Sequence, residues 1–235
     1  MNQTSKWEGE KRSVWIVSGS INLEGQLSVP EPARGIVLFA QGSSSTCQSP
    51  RNFYVAEVLN QAGFATLLFD LLTPDEEEAD RQTGHLRFKI PFLAQRLMDA
   101  TEWVAQTLNV RNLKLGYFGA NTGAAAALVA AADRPEIVSA VVSGGGRPDL
   151  AGLSLPKVLA PTLLIVGGSD ISVIGMNQKA LAQLRSHKQL EIIPSTTQLF
   201  TQPGTLEVVA QLAQEWFEQY LIGTSTSGLT GDPSI

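Results

Sequence analysis

The chain has one cysteine, Cys47, and two histidines, His85 and His187. One cysteine excludes an intrachain disulfide, and three such residues at these positions do not have the spacing of a zinc site. No metal or cofactor is called for, and a reducing compartment is the expected setting. Basic residues are also few, with 17 Lys and Arg against 22 Asp and Glu and a formal charge of -5. They form no cluster of the kind that phosphate neutralisation requires, which argues against nucleic acid as a partner. The first ten residues lack the apolar stretch of a secretory signal, so a cytoplasmic protein is expected. The one uncharged run of membrane-helix length, residues 115–132, holds Gly116, Gly119, Asn121, Thr122 and Gly123. It reads as strand, turn and helix, and no transmembrane segment is expected.

What is present is globular texture: 235 residues, 43% apolar and 17% charged. A domain of this length buries about 70–75% of its unfolded surface, enough for a core without staples. Residues 13–18 and 22–29 alternate apolar and polar around Gly19-Ser20, which predicts an N-terminal antiparallel strand pair. Short continuous apolar runs follow at 35–40, 65–70, 113–118, 138–142 and 162–166, with a weaker one at 189–193. Such runs suit strands covered on both faces. Residues 53–62, 92–108, 122–132, 176–184 and 206–221 carry apolar side chains at helical spacing. The order predicts an α/β fold: a mainly parallel sheet with helices on both faces, right-handed crossovers and ligands at the carboxyl ends of the strands. Residues 13–221 show no linker, so they read as a single domain. Residues 1–12 and the Ser/Thr/Gly-rich 222–235 are expected to be flexible.

The segment with most chemical content is Gly119-Ala120-Asn121-Thr122-Gly123. It follows a predicted strand and opens an Ala-rich helix, at the spacing of a nucleophile elbow. In that pattern the middle residue is a hydroxyl nucleophile; here it is Asn121, whose amide cannot attack a carbonyl. An elbow residue sits at positive φ, where Asn is enriched among non-glycine types. A plain Gly-rich turn is the simpler alternative. Glycines at 116, 119 and 123 do not fit a dinucleotide fingerprint.

From Gly35 to Leu221 the chain resembles the dienelactone hydrolase-like branch of the α/β-hydrolases. The resemblance rests on Phe39-Ala40-Gln41-Gly42-Ser43, Ser49-Pro50-Arg51-Asn52, Asp70-Leu71-Leu72-Thr73-Pro74, Thr83-Gly84-His85-Leu86-Arg87-Phe88, the elbow, Gly167-Gly168-Ser169-Asp170 and Thr197-Gln198-Leu199-Phe200. It implies a Ser, Asp, His triad in that order, and the matching places hold Asn121, Asp170 and Gln198. They lie 49 and 28 residues apart, as one strand-helix-strand step and one further strand and loop require. It also implies an oxyanion-hole region around Gln41, Ser43 and Thr122, with Gln41 where the family commonly has His and Gln48 as a further such place. Glutamine keeps the hydrogen bonding of a neutral imidazole but cannot shuttle a proton.

The remaining candidates are weaker. Asp70, His85 and Arg87 are expected near a pocket mouth, although a structural role suits His85 as well. His187 reads as a surface residue on the wrong side of the sheet to rescue a triad. The run Asp75-Glu76-Glu77-Glu78 reads as a solvated loop or helix start. Cys47 has no histidine near it in sequence to activate it. The leading expectation is a catalytically inactive hydrolase frame, a pseudoenzyme that binds a protein partner or aids assembly. Two others stand beside it: a binder of a small apolar carbonyl compound in the old pocket, and an ester or lactone hydrolase in which Asp170 directs water.

Overall fold

A computed structural model describes residues 9–42, 49–107 and 109–223. Its strands are β1 (Gly9–Ser18), β2 (Ile21–Pro30), β3 (Gly35–Gln41), β4 (Phe64–Asp70), β5 (Leu115–Asn121), β6 (Val138–Gly146), β7 (Thr162–Gly167) and β8 (Lys188–Ile193). The helices are α1 (Pro50–Gln61), α2 (Pro74–Thr83), α3 (Ile90–Gln106), α4 (Thr122–Asp133), α5 (Ile171–Gln183) and α6 (Thr205–Phe217). All eight strands join one sheet in the order β1-β2-β4-β3-β5-β6-β7-β8. β1 with β2, and β2 with β4, pair antiparallel; every other neighbour pair is parallel.

The sheet is covered on both sides, which is why its central strands read as continuous apolar runs. Along β3, Ile36, Leu38 and Ala40 face a core shared with α3 and α4, through Leu93, Leu97 and Leu128. Val37 and Phe39 face the opposite core, shared with α1 and α6 through Leu59, Val209 and Phe217. Each such buried Val, Leu, Ile or Phe side chain stabilises the fold by roughly 1.5–3 kcal/mol relative to an exposed one. Phe217 crosses so close to β5 that a Cβ on Gly116 would stand 2.6 Å from its ring.

Several elements differ from their predicted extents: α5 begins at Ile171 and not at 176, β6 runs on to Gly146, and α6 ends at Phe217. β1 begins at Gly9, before the alternation starts, because Gly9, Glu10, Lys11 and Arg12 are all exposed although they pair with residues of β2. Residues 74–83 form α2, and the acidic run at 75–78 lies at its start, the second of the two readings given for it. Its start is a capping box, with the Thr73 hydroxyl accepting from the Glu76 N–H and the Glu76 carboxylate accepting from the Thr73 N–H. Gly84, at φ 62, ends it. Among the described residues no helix is long and apolar enough to cross a membrane.

Candidate functional site

The parallel strands β3, β5, β6 and β7 end on one edge of the sheet, and the chain turns there into helices or loops. β5 passes into α4 without a connecting residue, so Asn121 takes φ 49 and ψ -128. The flanking glycines make that turn possible. A Cβ on Gly123 would stand 2.1 Å from the Ala40 carbonyl oxygen, and one on Gly119 2.5 Å from the Ala124 Cα. The neighbouring Thr122 is buried, and its hydroxyl donates to the Gly42 carbonyl at 3.2 Å. The Arg147 N–H, just past β6, donates to the Asn121 carbonyl at 2.9 Å. Asn121 thus has the geometry of an elbow residue and a side chain without a nucleophilic atom.

Gln41, at the end of β3, is 2% exposed, and its Oε1 accepts a hydrogen bond from Asn52 Nδ2 at 3.2 Å. Beyond β7, Asp170 precedes α5, and its Oδ2 accepts the backbone N–H of Gln198 at 2.7 Å. Asp170 is therefore tied to the loop that carries Gln198, through main chain. Ser43, Cys47 and Gln48 lie outside the described residues.

A cavity of about 390 Å³ opens at this edge, lined by Asn121, Thr122, Gln198, Arg87 and Arg147. Phe88, Val173 and Met176 supply its apolar wall. Of the three residues expected at a pocket mouth, only Arg87 lies here. Asp70 belongs to a separate groove of about 540 Å³ that includes Trp15 and Phe53, and His85 is exposed and lines neither. For the small apolar carbonyl compound expected in the old pocket, the cavity offers that apolar wall together with two guanidinium groups. His187, at the opposite end of β8, is exposed and stacks on Trp216 at 5.4 Å.

Each arginine is braced from behind. Arg87 donates from Nε to the Asp80 carboxylate at 2.6 Å and from Nη2 to the Asp80 carbonyl at 2.7 Å. Asp80 is fully buried, which disfavours its ionised form. The hydrogen bonds from Arg87 and from the N–H groups of Leu86 and Arg87 outweigh that and hold its pKa below the usual value. Arg147 is held by a two-pronged pair, Nε to Asp149 Oδ1 at 2.9 Å and Nη2 to Oδ2 at 2.8 Å. That hydrogen bonding raises the arginine's pKa against the opposing effect of burial. Arg147 carries no signal in the sequence, being a lone basic residue after Gly144-Gly145-Gly146. Only the return of β6 beside β5 places it at the elbow. Among the described residues no three His, Cys, Asp or Glu side chains gather as a metal site would need.

The sequence profile of the Dienelactone hydrolase family matches residues 25–215. A crystal structure of dienelactone hydrolase from Anabaena variabilis is 59% identical with a TM-score of 0.88, covering 91% of this chain and 99% of that one. Est1E from Butyrivibrio proteoclasticus, at 17% identity and a TM-score of 0.73, covers 88% and 98% and has the same fold. Proteins from two strains of Mycobacterium tuberculosis, each named "Putative phosphoribosyl transferase", are 56% identical over 215 residues. That match takes in 92% of this chain and 48% of theirs, so the chain spans about half the length of these relatives.

Proposed function

The chain belongs to the dienelactone hydrolase family, and from that premise we propose that it is a member that binds at the family's site without hydrolysing. The observation that carries this reading is Asn121 at φ 49 on the elbow: the turn that presents a nucleophile is kept, and the side chain presented is an amide. Gln198 in the base place has no pKa near 7, so a second part of the machinery lacks its proton chemistry. In serine hydrolases the loss of either the nucleophile or its base costs about 10⁶ in kcat, and the two losses are not additive. Binding does not depend on either group, and the cavity beside them supports a small-molecule ligand.

The test is turnover of short-chain aryl esters by the purified protein and by the double variant Asn121→Ser with Gln198→His. Background rates from the parent and turnover from the double variant are expected. Ester hydrolysis by the parent, lost in Asp170→Ala, overturns the reading in favour of a water-directing Asp170.

A second reading, binding of a protein partner or an assembly role, is favoured by the surface of β1. Trp15 is 61% exposed and Val17 64% exposed on the same strand face, and Trp15 shares its groove with Phe53. Association with a protein from native extract that Trp15→Ser abolishes would support it, and retention by that variant would count against it.

A further inference from the structure

We infer that the ligand of this cavity is an organic phosphate monoester, its phosphoryl group held between Arg87 and Arg147. The inference rests on the non-hydrolysing reading above and names the ligand class for the same site. In a chain of net charge -5, the described residues of the cavity wall include two arginines and no Asp or Glu. The balancing carboxylates, Asp80 and Asp149, stand behind the arginines and outside the lining.

Those carboxylates also fix direction. In both arginines Nε and Nη2 are committed to the bracing aspartate. The remaining Nη1 group of each is left for an acceptor in the cavity. An arginine locked by a fork on one side loses little side-chain freedom when it binds on the other, so the pair is preorganised. Asn121 and Gln198 add amide groups that donate to an oxyanion without a net charge change.

Main-chain polarity points the same way. α4 begins at this cavity through Thr122, with no acidic residue in its first turn and no side-chain cap from Asn121, whereas the N-cap residue of α5 is Asp170, a carboxylate. The α4 N-terminus adds main-chain N–H polarity to the two guanidiniums, and the several acceptor oxygens of a phosphoryl group can meet all three donors at once. Phe88, Val173 and Met176 then give an apolar wall for the organic part, and about 390 Å³ admits a body of ring size.

The experiment is calorimetric titration of the full chain with phenyl phosphate, benzoate and phenol, which share a ring and differ in the head group. Phenyl phosphate is expected to bind at least about tenfold more tightly than benzoate, with phenol undetected and the affinity falling as salt is raised. Arg147→Gln is expected to weaken phenyl phosphate about tenfold or more, with Arg147→Lys in between. Unchanged thermal melting of both variants keeps a folding loss from passing as a binding loss. Equal binding of benzoate and phenyl phosphate, tighter binding of phenol, or an Arg147→Gln variant that binds as the parent does would each overturn the inference. Phenyl acetate in parallel separates the two claims. Hydrolysis of phenyl acetate sinks the non-hydrolysing reading, whereas absent hydrolysis with no preference for phosphate sinks only the ligand class.

Discussion

The carboxylate of Asp170 accepts the backbone N–H of Gln198 at 2.7 Å. This bond depends on the main chain at 198, so it survives whatever side chain stands there, and the acid and the base loop stay in register. In the Asn121→Ser, Gln198→His background, Asp170→Asn should lower the regained ester turnover by about 10⁴-fold, because the acid orients and stabilises the restored imidazole. In the parent the same change should leave ester rates at background and lower stability by about 1–2 kcal/mol through the weakened bond. Ester assays and urea denaturation of the four proteins check both. A revertant indifferent to Asp170 would mean that the triad places are not coupled.

The elbow backbone gives a prediction about stability alone. Asn121 has φ 49 and ψ -128, a region that costs a side-chain-bearing residue roughly 1–3 kcal/mol. Asn121→Gly removes that strain while adding freedom to the unfolded chain, so a net gain of about 1 kcal/mol is expected. Gly123→Ala should behave oppositely, losing about 3 kcal/mol, since its Cβ would stand 2.1 Å from the backbone oxygen of Ala40. Urea midpoints order the three proteins. Asn121→Gly less stable than the parent would show that the amide side chain holds the turn by contacts that outweigh its strain.

The fold was legible where burial writes itself into sequence. β3, β4, β5 and β7 are buried on both faces and appear as short apolar runs, and Gly119-x-Asn121-x-Gly123 announces the sharp turn through its small residues. α2 was not legible by periodicity, because its only buried residue is Asp80 and it has no apolar stripe. Its signals were the caps, Thr73 with Glu76 at one end and Gly84 at the other. The site was half legible. Motif and order single out Asn121, Asp170 and Gln198, of which Asn121 and Gln198 line one cavity and Asp170 bonds the Gln198 N–H. Arg147 joins Arg87 only through the return of the chain, and Asp70, at the end of β4, lines the other groove.

An acid limb in the stability curve is expected from α2. Burial disfavours ionised Glu76 and Asp80, yet bonds from Arg96 and Thr73 to the first, and from Arg87 and two N–H groups to the second, leave both pKa values lowered. Groups with a depressed folded pKa contribute stability above their unfolded values. They lose it as pH falls through those values, 4.5 and 3.8, toward the folded ones. Urea midpoints should therefore hold between pH 7 and about 5 and decline below that. Asp80→Asn should start lower at neutral pH and decline less steeply. An equally steep limb in that variant would assign the acid sensitivity to other carboxylates.

Gln41 tests whether an amide takes over the structural half of a histidine's work. It is buried, and its Oε1 receives the Asn52 Nδ2 hydrogen bond at 3.2 Å at the very turn where the family places an imidazole. Gln41→Leu fills similar volume but leaves the buried Asn52 amide without that acceptor, an expected loss of about 1–3 kcal/mol. Gln41→His offers a ring nitrogen as acceptor in place of the amide oxygen, so a loss below about 1 kcal/mol is expected, with ester rates still at background because Asn121 supplies no nucleophile. Thermal and urea denaturation separate the variants, and aryl ester assays accompany them. Equal stability for Leu and His would remove the hydrogen bond as the reason for a polar residue there. Turnover in Gln41→His alone would place a working nucleophile elsewhere than residue 121.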